Sequence, residues 1–279
     1  MEGETGTGKE LLAHTIHENS ARKTGRFVVI DCGTLPESLI ESELFGHNKG
    51  AFTSATEHRA GAFEAANGGT ILLDEVENLT PSMQAKLLRI LDTGQAKRVG
   101  SNHLMQLNVR VVATTNKNLS EMTEKGLFRR DLLYRLNMLT LLLPSLRERK
   151  EDIPLFVDFF LDEANKKFAR NVTQVTSGAL TVLKDFGWPG NIRELKHVIE
   201  QAVLLCEDAT IDIDLLPDKI KDGVTLGYDG HLTQKLATVE KELIKQALRR
   251  YNGNKSAAAR TLGVSRKGLR MKMRRYGLE

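Results

Sequence analysis

Gly3-Glu4-Thr5-Gly6-Thr7-Gly8-Lys9 fits the spacing G-x-x-x-x-G-K, a run whose chemistry is the binding of phosphate oxygens. Glycines supply the unusual dihedrals that turn several backbone N–H groups toward one point, and a helix beginning behind them adds its positive end. Lys9 would place a fixed positive charge at the β- and γ-phosphates of a nucleotide, and Leu11 to His17 continue as that helix. The hydroxyl residue that usually follows the lysine and helps to hold magnesium is replaced by Glu10. Farther along, Ile71-Leu72-Leu73-Asp74-Glu75 is an apolar strand ending in two adjacent carboxylates. With a phosphate loop upstream, Asp74 would hold a magnesium ion directly or through water. Glu75 would polarise, or take the proton from, a water attacking phosphorus.

Thr114-Thr115-Asn116 closes another apolar run, where the Asn116 amide can sense a terminal phosphate or orient water. Arg129 and Arg135 lie six residues apart, and a guanidinium supplied from a neighbouring subunit can spread charge over a phosphoryl transition state. Arg193, in Trp188-Pro189-Gly190-Asn191-Ile192-Arg193-Glu194-Leu195, would report from a later helical segment to the nucleotide.

These residues need a scaffold that brings them to one edge. Phe27 to Asp31, Thr70 to Asp74, Val109 to Thr115 and Met138 to Leu142 read as continuously apolar, buried strands separated by helical patterns. That alternation predicts an α/β domain with a parallel sheet, whose ligands bind at the carboxyl ends of the strands. The α/β core is expected over residues 1–145. After Pro144 the pattern is purely helical over 146–206, with helices at Ile153 to Lys167, Ser177 to Asp185 and Asn191 to Leu205. The last opens with Asn191 as N-cap and Glu194 as capping-box partner. Residues 207–231, rich in Asp and Gly with little periodicity, read as a linker, and 232–279 as a second, all-α helical domain.

The chain has 279 residues, 41% hydrophobic and 27% charged, which is ordinary for a globular protein and excludes collagenous or disordered classes. Its longest apolar stretch, Met138 to Leu143, falls far short of the roughly 20 residues that span a bilayer, and no signal peptide opens it. A cytoplasmic protein with no membrane partner is expected. Cys32 and Cys206 stand far apart, suggesting buried small hydrophobes rather than a disulfide or metal pair. Charge is unevenly spread: from Leu243 to Glu279 there are eleven Lys and Arg against one acid, a net +10, while the whole chain carries only +4. Such asymmetry points to a polyanion bound at the C-terminus.

Ala257 to Leu269 has the layout of a helix-turn-helix: small alanines allow close helix approach, Gly263 the turn, Val264 a core plug and Ser265 a cap. Arg266 to Tyr276 is then the recognition helix, preceded by a dimerising helix from Leu232 to Tyr251. Arg260, Ser265, Arg266, Lys267, Arg270, Lys272 and Arg274 are the residues expected to meet double-stranded DNA.

With these residues in place, the chain resembles the AAA+ ATPases, and more narrowly the bacterial enhancer-binding proteins of the NtrC type that activate sigma-54 RNA polymerase. The most specific match is Glu43 to Ala55. There Gly50-Ala51-Phe52-Thr53-Ser54-Ala55 is similar to the family's GAFTGA loop, which touches sigma-54. The resemblance implies ATP and magnesium as ligands, with Gly3 to Lys9 as Walker A, Asp74 and Glu75 as Walker B, and Thr114 to Asn116 in sensor I. It also implies Arg129 and Arg135 as trans-acting fingers, Arg193 as sensor II and Asp31 as the switch residue that pairs with Glu75. Glu10 is common after the lysine in this family. The tail resembles the Fis-type DNA-binding domain, and the assembly implied runs from dimer to hexamer on upstream DNA.

Ser54 departs from the family's glycine, at a cost on the order of 1 kcal/mol if that position needs a positive φ. The family places a further strand, ahead of Walker A, between the sensor I strand and the final strand. The present sequence starts too late to supply it, so a missing front end and a strand-wide gap between Val109 to Thr115 and Met138 to Leu142 are expected. Loss of that strand would remove on the order of 10 kcal/mol of apolar burial. Two function classes follow: an ATP-driven activator of sigma-54 polymerase, or a DNA-binding regulator whose ATPase is inactive or decoupled. An AAA+ protein of another nucleic-acid process is disfavoured by the loop.

Overall fold

The computed structural model describes residues 1–34, 36–51, 57–221, 241, 244–245, 247–248, 250–251, 254–261, 269–270 and 272–273. They divide into two compact units, Met1–Leu215 and Leu216–Glu279.

In the first unit, α1 (Lys9–Glu18) follows the phosphate loop and leads to β1 (Phe27–Asp31) and α2 (Glu37–Phe45). The short α3 (Ala62–Ala65) precedes β2 (Thr70–Asp74), whose first four residues are all buried because both sheet faces are covered. Pro81 at its first turn and Gly94 in the left-handed conformation after its end delimit α4 (Pro81–Thr93). A two-residue ladder, β3 (Gln95–Ala96) with β4 (Met105–Gln106), leads to β5 (Arg110–Ala113). The side chain of Asn118 accepts from two amides at the start of α5 (Leu119–Glu124), and α6 (Arg130–Leu136) follows. Strands pair in parallel in the order β1-β2-β5. The register sets Asp31 level with Asp74, and Leu73 level with Ala113, so all the predicted carboxylates and the Thr114 to Asn116 turn leave the sheet at one edge. Phe63, Ile71, Leu73, Leu87 and Leu132 fill the core beneath.

The lid comprises α7 (Ile153–Phe168), α8 (Ser177–Asp185) and α9 (Asn191–Leu205), with α7 packed on α9. Trp188 is fully buried and donates its indole N–H to the Leu183 carbonyl at 2.7 Å. The expected linker does not begin at residue 207. β7 (Thr210–Ile211) pairs with β6 (Gln174–Val175), and Ile211 is completely buried. One buried isoleucine and a two-residue ladder are enough to tie down a segment without helical or strand periodicity.

Met138 to Leu142 is not a strand. It makes a single bridge, Leu142 with Glu2, and Met138, Leu139 and Leu142 are largely exposed. A strand exists only through its neighbours, and over most of this segment's length the neighbour is lacking. Met1 and Glu2 alone span the slot: the Met1 amine donates to Ala113 O at 2.7 Å, Glu2 N to Leu141 O at 2.9 Å and Leu143 N to Glu2 O at 2.8 Å. Beside them lies a cavity of about 770 Å³ lined in part by β5, Ile16, Leu136, Met138 and Leu139, where the strand-wide gap is expected. Cys32 and Cys206 are buried and unpaired by disulfide, and burial pushes the Cys32 thiol up to about 12.

In the second unit, α10 (Lys255–Thr261) buries Ala258 and Ala259 against Ile244, Ala247, Leu269 and Met273. No helix among the described residues is long and apolar enough to cross a membrane.

Because Met1 already continues the β5 ladder, five apolar residues fused directly before it would run down the slot. Four or five side chains at about 2 kcal/mol each should raise the urea midpoint strongly. An unchanged midpoint would show that the cavity is not strand-shaped.

Candidate functional site

The phosphate loop is held by backbone bonds on two sides. From the sheet, Thr115 O accepts from Gly3 N at 3.2 Å; toward the lid, Gly6 O accepts from Ile192 N at 2.9 Å and Arg193 N at 3.3 Å. Gly6 (φ +82°) must be glycine, since a Cβ there would lie 2.3 Å from Gly190 O. Gly8, at φ 95°, is the N-cap of α1. Lys9 is buried, and its Nζ donates to Gly3 O at 2.7 Å and Glu4 O at 3.0 Å. Burial lowers the Lys9 pKa from its ordinary value, against the raising effect of Asp74, Glu77 and Glu75. Lys9 and those three carboxylates therefore share one field. Thr7 is buried with its hydroxyl on Glu4 O at 2.8 Å, and Glu10 is exposed on the first turn of α1.

Glu4 and Thr5 complete the loop. Glu4 takes a bidentate contact from Arg147 at 2.8 and 2.5 Å and a bond from Asn191 Nδ2 at 3.1 Å. Hydrogen bonds from Arg147 and then Asn191 hold its carboxyl down at about 2. Asn191 is buried at φ 51°; its Oδ1 accepts from Leu146 N at 2.8 Å and its Nδ2 also donates to Thr5 O at 3.0 Å. Asn191 is thus the first residue of α9 rather than its N-cap, which is Gly190, and Glu194 reaches back to Gly190 N at 2.9 Å. The asparagine amide that could cap a helix is used instead to join lid to loop.

At the sheet edge, Thr114 Oγ1 donates to Asp74 Oδ1 and accepts from Glu75 N at 3.2 Å. Glu75 adopts φ 57°, ψ 51°, a left-handed conformation costing about 1–2 kcal/mol for a residue with a Cβ. The Asn116 amide lies 3.2 Å from Thr5 Oγ1 and 3.5 Å from Glu75 Oε1, while its backbone N–H donates to the buried Glu77 at 3.1 Å. The structure therefore brings Lys9, Asp74, Glu75, Asn116 and the loop together. Arg193 joins them as an exposed residue whose charge is felt by Lys9.

One expectation is placed differently. Asp31 does not pair with Glu75: its Oδ1 accepts from Gly33 N at 2.7 Å. Burial pushes its carboxyl up, but bonds from the Thr34 hydroxyl and the Gly33 and Thr34 amides outweigh this and leave it below its ordinary range. Arg129 is paired with Asp131 at 3.0 and 2.7 Å, and Arg135 with Asp92 at 3.0 Å, on their own exposed surface. Of the expected sigma-54 loop, Gly50 (φ +80°) and Ala51 are described, above a base closed by His47 and Arg59 bonds of 3.0 Å each way. Phe52, Thr53, Ser54 and Ala55 lie outside the described residues, as do Ser265, Arg266, Lys267 and Arg274. Arg260 lies in α10; Arg270 is exposed and Lys272 half-buried on a helical stretch whose Leu269 and Met273 face inward.

A parallel sheet with phosphate loop, twin carboxylates and helical lid defines a P-loop AAA+ module. The chain belongs to the family of the sigma-54 interaction domain, whose model matches residues 1–142; an AAA+ ATPase lid domain matches 147–227 and a bacterial regulatory protein domain of the Fis family matches 235–276. It is 42% identical to the regulatory protein AtoC of Escherichia coli K12, over 100% of this chain and 62% of AtoC. It is 44% identical to the nitrogen fixation protein AnfA of Azotobacter vinelandii, over 99% of this chain and 52% of AnfA. It spans less than two thirds of the length of these curated relatives. Among solved structures it is similar to NtrX of Brucella abortus in complex with ADP (TM-score 0.76, 34% identity, 99% of this chain and 64% of NtrX). The complex of NtrX with ATP matches equally (TM-score 0.76, 34% identity, 99% and 63%).

Glu77, Asn78, Arg147 and the linking role of Asn191 escape a reading of the sequence, because each acts through a contact set by tertiary register. Removing the Asn191 side chain leaves Leu146 N and Thr5 O without their partner and puts alanine in a left-handed conformation. Asn191→Ala should cost about 2–5 kcal/mol in urea unfolding. A loss within about 0.5 kcal/mol would mean that loop and lid are not joined there.

Proposed function

We propose that this chain is an ATP-hydrolysing transcriptional activator that remodels sigma-54 RNA polymerase and binds upstream double-stranded DNA through its C-terminal unit. The observation that carries the reading is the convergence of Lys9, Asp74, Glu75 and Asn116 on one phosphate loop at the sheet edge. Lys9 and the loop amides would neutralise the phosphates; the ADP and ATP complexes of NtrX support a nucleotide there. Glu75 acts as base or polariser for the attacking water, and Asn116 orients that water or senses the γ-phosphate. Arg193 reports from the lid.

Magnesium suits this donor set. Among the described residues no three-ligand metal cluster exists. Magnesium asks for only one or two carboxylates and takes its other ligands from phosphate and water. The buried Glu77 Oε2, without a partner among the described residues, adds to a negative field favourable to a cation. Asp74 would hold the ion, and the ion would neutralise charge developing on the phosphate oxygens.

Arg129 and Arg135 would serve a neighbouring subunit in a ring, up to a hexamer, on exchanging Asp131 and Asp92 for phosphate. Phe52 and Thr53 would touch sigma-54, with Gly50, Ala51, Ser54 and Ala55 shaping that loop. Arg260, Ser265, Arg266, Lys267, Arg270, Lys272 and Arg274 would meet DNA, aided by the net +10 of the tail. The core limits 1–145 and the DNA-binding limits 232–279 go with this division of labour, and the lid from 146 runs past 206 to include β7.

A second reading, a DNA-binding regulator with a silent ATPase, is favoured by Asp31, which accepts from Gly33 N at 2.7 Å and does not pair with Glu75. One assay separates the two. Magnesium-dependent ATP hydrolysis should fall by about a hundredfold or more in Glu75→Gln, and capture of sigma-54 with a transition-state analogue should be lost in Phe52→Ala. Equal turnover in wild type and Glu75→Gln would leave the DNA-binding regulator.

A further inference from the structure

Glu75 meets its environment at a corner made by three residues. Its Oε2 accepts from Asn78 Nδ2 at 3.0 Å, and Asn78 N donates back to Glu75 O at 3.0 Å, closing a tight turn after β2. Gly33 lies against the same pair: a Cβ there would fall 2.6 Å from Glu75 Oε2 and 2.7 Å from Asn78 Nδ2, and 3.4 Å from Asp31 Oδ1. So one amide and one carboxylate, Asn78 and Asp31, flank the Glu75 side chain. Only the amide has a hydrogen to give, and Asp31 is already engaged by Gly33 N at 2.7 Å.

With Oε2 tied to Asn78, the other oxygen, Oε1, is the one that faces Asn116 Nδ2, which itself touches Thr5 of the phosphate loop. The bond thus leaves one carboxylate oxygen aimed at the mouth of the loop. Glu75 needs that restraint more than most residues do, because its left-handed backbone gives the side chain an unusual exit from the strand.

We infer that Asn78, seated over a side-chain-free Gly33, is the positioning residue that orients Glu75 for hydrolysis, a role that Asp31 does not fill. The inference rests on the reading of Glu75 as the residue that activates water. Asn78 and Gly33 are both exposed, so neither is needed to fill the core, and the substituted chains should keep their fold, checked by urea unfolding. Asn78 touches neither the loop nor Lys9, which separates orientation from nucleotide binding.

The test is a kinetic series on the full chain with magnesium and ATP. Asn78→Ala and Asn78→Asp, which remove the donor, and Gly33→Ala, which wedges the pair apart, should each lower kcat by about ten- to a hundredfold with KM for ATP unchanged. In a Glu75→Gln background the same changes should have no further effect. A KM effect alone, an unchanged kcat, or a raised kcat, which would mean that the bond holds Glu75 away from water, overturns the inference. If Glu75→Gln itself turns over like wild type, it is the reading of Glu75 that fails instead. A readout independent of turnover is the side-chain amide signal of Asn78 in NMR. It should move in Glu75→Ala and stay in place in Asp31→Ala, and the reverse pattern would assign Asn78 to the wrong partner.

Discussion

The backbone of the phosphate loop is stretched between two bodies, the sheet through Gly3 N to Thr115 O and the lid through Ile192 N to Gly6 O. Everything at the site depends on that suspension. A glycine-rich loop is entropically expensive to order, and only fixed partners on both sides keep its N–H groups convergent. Here the sheet contributes the position of the carboxylates and the lid contributes the closing contact, so neither alone makes an anion cradle.

This arrangement would link a bound nucleotide to the lid by short paths. Glu4 belongs to the loop yet is held by Arg147 and Asn191 of the lid, and Arg149 adds a bond to Thr7 O at 3.3 Å. Lys9 fills its own loop by donating to Gly3 O and Glu4 O, contacts it would exchange for phosphate oxygens. A phosphate arriving there would displace lysine from the very residue that the lid grips. Binding energy can therefore reach the lid through one side chain and two carbonyls.

Much of this was legible in the sequence because its signals are local. The spacing from Gly3 to Lys9, the apolar run ending at Asp74 and Glu75, and the strand from Phe27 to Asp31 depend on neighbours along the chain, and the structure has them as read. What could not be read depends on partners distant in sequence. Met138 to Leu142 has strand-like composition but no ladder beside it, while Thr210 and Ile211 lack a pattern yet find one. Asp31 is level with Asp74 as the register requires, but whether a carboxylate or an amide reaches Glu75 is decided by the turn at Asn78. Asn191 carries a capping signal that the fold diverts to the loop.

The central claim is that the suspended loop and Lys9 receive the phosphates of a nucleotide. Calorimetric titration of magnesium nucleotide into the chain and into Lys9→Ala tests it most directly. Saturable binding by the wild type, weakened about tenfold or more in the variant, is the outcome expected from the loss of charge-assisted bonds. Equal affinity in both would contradict it.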